Sequence, residues 1–276
     1  MKTQTIINIL FAVAFVGYVV SQRNPTFDTI TCKGWNVVDA DGKERMIAFT
    51  NPDGQASVHW LDKDGERRIS AETLASGQAS VILLDKDGKQ RIGAGTRADG
   101  ESSVTWFDKD GKQRIGAGTL ASGQGSVIWY DKDGKMRIAA ATFADGDAIV
   151  QWFDKDEKMR INTGTYADGE ACVVWFDKDE KARIAAATLA DGDASVQLND
   201  KDEKLRIIAG TFANGSATAQ WKDKDEKLRI NAGIFPNGDA AVVWLDKDGK
   251  LRIGAVTGAN GTLGLPTKDE NPPKKP

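Results

Sequence analysis

Histidine is almost missing from this chain: His59 is the only one, and just two cysteines, Cys32 and Cys172, stand far apart in it. One His and two distant Cys supply no Ser/His/Asp or Cys/His constellation for nucleophilic catalysis and no thiolate metal site. A single disulfide between them is open; a disulfide framework is not. Neither sign of charge dominates. Lys+Arg number 37 and Asp+Glu 40, interspersed throughout, for a net charge of −3. With no basic stripe to meet a phosphate backbone, nucleic acid is excluded as a partner. A nucleotide loop is missing as well, because Gly93-Ala94-Gly95 sits inside a strand-like run rather than at a helix start. No cofactor is implied, and the chain reads as a non-enzyme.

Long apolar runs are confined to the N-terminus. Lys2 is followed by an apolar stretch over residues 6–20, broken only by Asn8 and Gly17, and then by Arg23. The stretch fits a signal-peptide core, with Val19-Val20-Ser21 offering small enough residues for cleavage. If residues 3–21 all insert, it equally fits a short uncleaved anchor, close to the ~20 residues a spanning helix needs. A buried soluble helix is the third reading. Either of the first two sends the rest of the chain out of the cytoplasm, with the N-terminal segment as its contact with the membrane.

What the chain has in abundance is one unit. Arg recurs at Arg45, Arg68, Arg91, Arg114, Arg137, Arg160, Arg183, Arg206, Arg229 and Arg252, always 23 residues apart. Gly keeps the same register from Gly54 and Gly77 to Gly238 and Gly261. Ten copies of a 23-residue unit therefore occupy residues 33–265. They are preceded by the targeting segment 1–21 and a linker 22–32. A Pro- and Lys-rich tail, 266–276, follows and reads as disordered.

Each unit contains two short runs of period 2, such as Ala56-Ser57-Val58-His59-Trp60-Leu61 and Arg68-Ile69-Ser70-Ala71-Glu72-Thr73. Alternation over six residues closed by turn residues specifies half-buried strands and excludes helix. The loop Ala75-Ser76-Gly77 fits a type I turn closed by a left-handed Gly, since only Gly takes positive φ cheaply. The other turn, Asp62-Lys63-Asp64-Gly65-Glu66, replaces its Gly by Glu157, Glu180, Glu203 and Glu226 in four units. That tolerance predicts a four-residue loop, 63–66, with no need for positive φ.

Register follows from requiring every apolar position on one face. Trp60 then faces Ile69, Val58 faces Ala71 and Ala56 faces Thr73; across the next turn, Thr73 faces Ala79, Ala71 faces Val81 and Ile69 faces Leu83. The expected fold is all-β: an elongated antiparallel meander of about 20 strands, roughly 95 Å long at ~4.8 Å per strand. The rival is a two-faced β-solenoid with parallel strands. A row of Trp and Ile along one face predicts tight curvature or self-association.

These residues carry two resemblances. The 23-residue period, Gly-rich hairpins and Trp resemble MORN repeats, which form extended antiparallel sheets. The chain departs from that family because Trp106 precedes Gly111 by five positions and the Tyr-x-Gly-x-Trp run is missing. Val37-Val38-Asp39-Ala40-Asp41-Gly42-Lys43-Glu44-Arg45 is more similar to bacterial β-repeat proteins in which a membrane-targeting segment precedes D-x-D-G-K-x-R units. That resemblance spans the repeats and implies no activity.

Three sets of side chains are candidates for binding. Asp62 and Asp64, Asp85 and Asp87, Asp108 and Asp110, and Asp131 and Asp133 place carboxylates two apart in turns, as calcium loops begin. They lack a later bidentate Glu and enclose Lys63, Lys86, Lys109 and Lys132, so ordinary turn formation competes. The Trp row from Trp60 to Trp244 is a sugar-stacking platform or a core row, and Leu83 and Leu198 in the same slot suit a core. On the opposite face Phe107, Tyr130, Phe153 and Phe176 lie near Arg114, Arg137, Arg160 and Arg183, the candidate partner-binding face. The expected function is an extracytoplasmic structural or interaction repeat protein whose partner is a protein or polysaccharide of the cell envelope. A polysaccharide-binding module and a calcium-stabilised adhesin are the alternatives.

Overall fold

The computed structural model describes residues 31–258 and the backbone of 263–264; the targeting segment, most of the linker and the C-terminal tail lie outside the described residues. Strands β1 (Gly34–Val38) and β2 (Glu44–Thr50) form the first hairpin, and β3 (Ala56–Leu61) and β4 (Arg67–Thr73) the second. Six- and seven-residue strands alternate from there to β19 (Ala240–Leu245) and β20 (Leu251–Thr257), with a two-residue β21 (Leu263–Gly264) after them. All belong to one sheet of 21 strands. Each strand pairs antiparallel with its predecessor and successor, and β1 and β21 each have a single neighbour, so the sheet is open. The meander is the fold, and the parallel solenoid is not. The described residues contain no helix.

All six cross-strand pairs expected from the sequence occur: Trp60 with Ile69, Val58 with Ala71, Ala56 with Thr73, Thr73 with Ala79, Ala71 with Val81 and Ile69 with Leu83. The pleat leaves no freedom here, since a slip of one residue would move every Trp and Val to the other face.

Both kinds of turn have the same three-residue construction, which corrects the four-residue loop expected for the Asp turn. Asp62 N–H donates to Glu66 O (2.9 Å) and Gly65 N–H to Asp62 O (3.1 Å), just as Leu74 N–H donates to Gln78 O (2.8 Å) and Gly77 N–H to Leu74 O (3.0 Å). The third loop residue is left-handed in both. Gly77 has φ 87° and Gly65 has φ 83°. Glu157, Glu180, Glu203 and Glu226 are forced to φ 60–63°, so the position does demand positive φ and Glu occupies it under strain. For a residue with a Cβ that conformation costs about 1–2 kcal/mol.

Glu157 and Glu180 recover part of this cost through hydrogen bonds accepted by Oε1 from Met136 N–H and Met159 N–H, both at 3.3 Å. Glu203→Gly and Glu226→Gly are therefore expected to stabilise the protein by up to about 1 kcal/mol each, after the entropy of Gly in the unfolded chain is subtracted. Chemical denaturation of the double variant checks this. An unchanged or lower midpoint would refute the strain.

Every Asp-turn hairpin also contains a bulge. After Trp60 pairs with Ile69, Leu61 pairs with Arg67, so Arg68 is the extra residue. The same shift recurs at Phe107, Phe153 and Phe176. Bulges keep the pleat phase while turning two adjacent side chains toward one face. The recurrent Arg is this bulge residue.

Candidate functional site

The Asp-turn rim is the most highly bonded part of the unit. Asp62 Oδ1 accepts from Asp64 N–H (2.8 Å) and Glu66 N–H (3.0 Å), and Oδ2 accepts from Arg68 Nε (2.8 Å). Arg68 then reaches forward to the backbone carbonyls of Asp85 and Lys86 in the next unit's turn. Arg160, Arg206 and Arg229 make the equivalent link to Asp177 O, Asp223 O and Asp246 O. Lys side chains run beside them: Lys112 Nζ donates to Lys132 O (3.0 Å) and Lys135 Nζ to Lys155 O (2.8 Å). Neighbouring turns are thus joined by cations along the rim. The sequence signal for this was present, since Asp precedes Arg by six residues in every unit.

These bonds occupy the first Asp of each candidate calcium pair. Asp62, Asp85, Asp108 and Asp131 hold turn amides and an Arg, while Asp64, Asp87, Asp110 and Asp133 pair with Lys63, Lys86, Lys109 and Lys132 at 2.6–2.8 Å and are more than half exposed. The geometry is that of an Asx turn, and among the described residues no three His, Cys, Asp or Glu side chains form a metal-holding group. The bonding sets the acidity of these groups. Desolvation pushes the Asp131 carboxyl up, but the Lys135 and Asp133 amides and Arg137 outweigh it and bring it down to about 2. Asp154 reaches about 2 in the same way.

The proposed partner-binding residues do share one face. Phe107 pairs with Gln113, Tyr130 with Met136, Phe153 with Met159 and Phe176 with Ala182, each beside the bulge that carries Arg114, Arg137, Arg160 or Arg183. All eight side chains are half-buried. The guanidinium groups are turned into Asp108, Asp131, Asp154 and Asp177 rather than held outward. The four rings and the four guanidinium groups thus share a face, with the Arg charges engaged by the turn carboxylates.

The Trp/Ile face is where the single chain leaves most apolar surface open. No apolar side chain is buried among the described residues. Trp60, Trp129, Trp175, Trp221 and Trp244 stay 37–40% exposed, and Val81 and Val196 reach 43% and 46%. The sheet has not curled over this face. Toward the Gly turns runs a trough of about 1500 Å³ whose lining takes three successive residues from strand after strand, such as Ala56-Ser57-Val58, Ala71-Glu72-Thr73 and Ala94-Gly95-Thr96, and so includes the small and polar residues of the face opposite Trp and Ile. A second trough of about 670 Å³, sharing Thr163–Thr165, continues it to Thr218.

One cluster escaped the sequence reading. Among the described residues the buried polar ones are Ser57, His59 and Ser70, at 3%, 6% and 2% exposure. Ser70 Oγ lies 3.0 Å from His59 Nδ1 and donates to Glu72 Oε1 at 2.9 Å, while the His59 ring meets Phe49 edge-on at 5.6 Å. Here Ser bridges His and Glu, whereas a nucleophile relay needs His between Ser and the carboxylate. The His59 pKa is lowered, first by desolvation and then by Arg67. The signal was its pairing with Ser70 across the strand register. Both cysteines are free thiols, so the disulfide left open by the sequence is not formed.

No family model matches the chain, and no curated protein matches it. Among solved structures it is similar to the TCP domain of SAS-4 (dCPAP) of Drosophila melanogaster, solved in complex with a proline-rich motif of Ana2 (dSTIL). That match has 10% identity over 89% of this chain and 96% of that one, with a TM-score of 0.18. A second match, to the TcdB2-TccC3-Cdc42 structure, has 10% identity over 84% of this chain and 19% of that one, also with a TM-score of 0.18. Overlaps this weak do not amount to a shared fold, and neither neighbour's partner bears on this chain.

Proposed function

We propose that the chain is a non-enzymatic structural or interaction protein, held outside the cytoplasm by its N-terminal segment and carrying a regular β surface to a protein partner of the cell envelope. The supporting observation is regularity: the same hairpin, bulge and rim bonding recur from Asp39–Arg45 to Asp246–Arg252 without an interruption that would house a reaction centre. Repeated identical surfaces raise affinity by engaging a partner many times, and the gain grows with the number of units.

Polysaccharide binding is the second reading, favoured by the exposed Trp row. It is weakened by the Ile, Val and Ala directly beside those rings, the hydroxyls of this face (Thr73, Thr96, Ser102) lying at the far, Gly-turn end of the strands.

Retention of the full chain on envelope preparations tests the two. Protease treatment of the envelope is expected to abolish retention, and a panel of purified polysaccharides is expected to bind nothing at millimolar sugar. Retention that survives protease but is competed by a polysaccharide would replace the first reading with the second.

A further inference from the structure

We infer that β1 is an interaction edge, and that it pairs antiparallel with β1 of a second copy of this chain, joining two sheets into one. The two ends of the sheet are built differently. Among the described residues β1 pairs with β2 alone, whereas the inner strands have a neighbour on each side. Gly34-Trp35-Asn36-Val37-Val38 contains no Pro and no charged residue, the devices that ordinarily blunt an edge. Trp35 and Val38 are both 52% exposed, while Val58 and Leu61 in the same slots of the next unit are half-buried. The other end is guarded. β21 covers β20 at Val256 and Thr257 only, where inner strands form five pairs across a Gly turn. Pro266 follows in the slot that Ile82 fills, with Lys268, Asp269 and Glu270 just after it. Proline cannot donate to a ladder, and charges resist strand addition.

Backbone phase sets the register. Asp39 N–H donates to Lys43 O, so alternation turns the amide groups of Val37 and Trp35 toward β2 and those of Gly34, Asn36 and Val38 toward the open edge. A two-fold axis through Asn36, normal to the sheet, sets these outward groups against each other: Asn36 opposite Asn36 of the second copy, and Gly34 opposite Val38 twice. About six backbone hydrogen bonds form. Between them Trp35 faces Val37 twice on the Trp/Ile side, an aromatic with a β-branched residue, which is a favourable cross-strand pair. The same register sets Lys33 opposite Asp39. Slipping by two residues loses a bonded pair and puts Lys33 against Val37, or Trp35 against Asp39. Both N-terminal segments leave beside the joint, roughly 20 Å apart at ~3.4 Å per residue, and the two arrays extend away from it. Five residues per copy make a narrow contact, below the ~800 Å² per partner of a standard interface. Two chains held in one membrane meet at a raised local concentration, so the strength of the pairing rests on the proposed anchoring; its geometry does not.

The test uses the full chain with Cys32→Ser and Cys172→Ser, reconstituted in lipid vesicles and also concentrated in solution. Chemical cross-linking is expected to trap dimers and nothing larger. On mild oxidation Asn36→Cys should form a disulfide with its own copy in most of the protein, because only a residue on the axis meets itself at ~5.5 Å. Gly34→Cys and Val38→Cys should each fail alone and link when the two are mixed. Asn36→Pro removes an amide that points out from the edge and no backbone bond to β2, so the far-ultraviolet strand signal should stay while the dimers are lost. Monomers in both settings overturn the pairing, including a monomer whose β1 carries a strand of another protein. Dimers that persist in Asn36→Pro overturn the choice of edge, and species larger than two overturn the guarded C-terminal end. Self-linking of Gly34→Cys in place of Asn36→Cys overturns the register. Envelope retention is scored separately: retention without dimers sinks the pairing alone, and dimers without retention sink the proposed function alone.

Discussion

Gly123→Val is expected to cost about 1–3 kcal/mol and to lower the main unfolding transition, while Gly238→Val, the same change near the end of the array, leaves that transition nearly in place. Gly123 sits at φ 88° with its N–H donated to Leu120 O at 2.9 Å, and Gly238 sits at φ 87° with the same bond to Phe235 O. A β-branched residue is a true outlier at such φ, so the local cost is similar at both. The global outcome differs because each unit contacts only its neighbours. A weak unit in the middle interrupts coupling on both sides; a weak unit near the end frays alone. Thermal unfolding followed by circular dichroism reads the two midpoints. Equal losses would mean that the sheet unfolds as one undivided unit, against the nearest-neighbour picture.

The second large effect is acid sensitivity, with a sharp lower limit. Asp131 and Asp154 are brought to about 2 against an ordinary 3.8, and Asp62, Asp85, Asp108, Asp200 and Asp223 are lowered too. A carboxylate whose folded pKa is depressed contributes stability that is complete above its unfolded pKa. That stability drains as pH falls toward the folded value. The unfolded chain binds more protons in that window, so stability must rise with pH across it. Tm is therefore expected to be nearly level from pH 8 to 5. The one departure is a small decline below about pH 6.5, because His59 is also lowered in the fold. Between about pH 4 and 2, Tm should fall steeply as the turn carboxylates protonate together. Asp131→Asn with Asp154→Asn keeps an acceptor for the turn amides but removes the charge facing Arg137 and Arg160, and should make the acid slope shallower. A Tm at pH 2.5 equal to that at pH 6 would show that the Asp–Arg rim contributes nothing to stability.

The same residues explain why part of the rim was hidden in the sequence. Asp in turns with Gly is so common that Asp62-Lys63-Asp64-Gly65 reads equally as turn or metal loop. The fixed Asp–Arg spacing was visible, but a bulge does not change residue counts in a way that a single strand reveals. Only the pairing of Leu61 with Arg67 exposes it. Substitution of Gly by Glu at four turns read as freedom of the backbone. It is instead strain carried by a rim whose many bonds fix the turn regardless of which residue fills it.

The choice of meander over parallel solenoid and the bulge at Arg68 came from the tertiary structure; the sequence alone determined the period, the strands and which of their apolar residues share a face. Those quantities depend on local alternation and on turn length, which neighbouring residues specify. It did not determine whether the Trp/Ile face is covered. A hydrophobic row has the same pattern whether a second layer lies over it or not, and coverage depends on whether a sheet can curl far enough to meet itself. The tertiary structure decided that this one does not: Trp60 to Trp244 stand along an open face. The ten units that made the chain readable also prevent it from making a core alone, since each repeats the same one-sided sheet and none supplies an opposing layer.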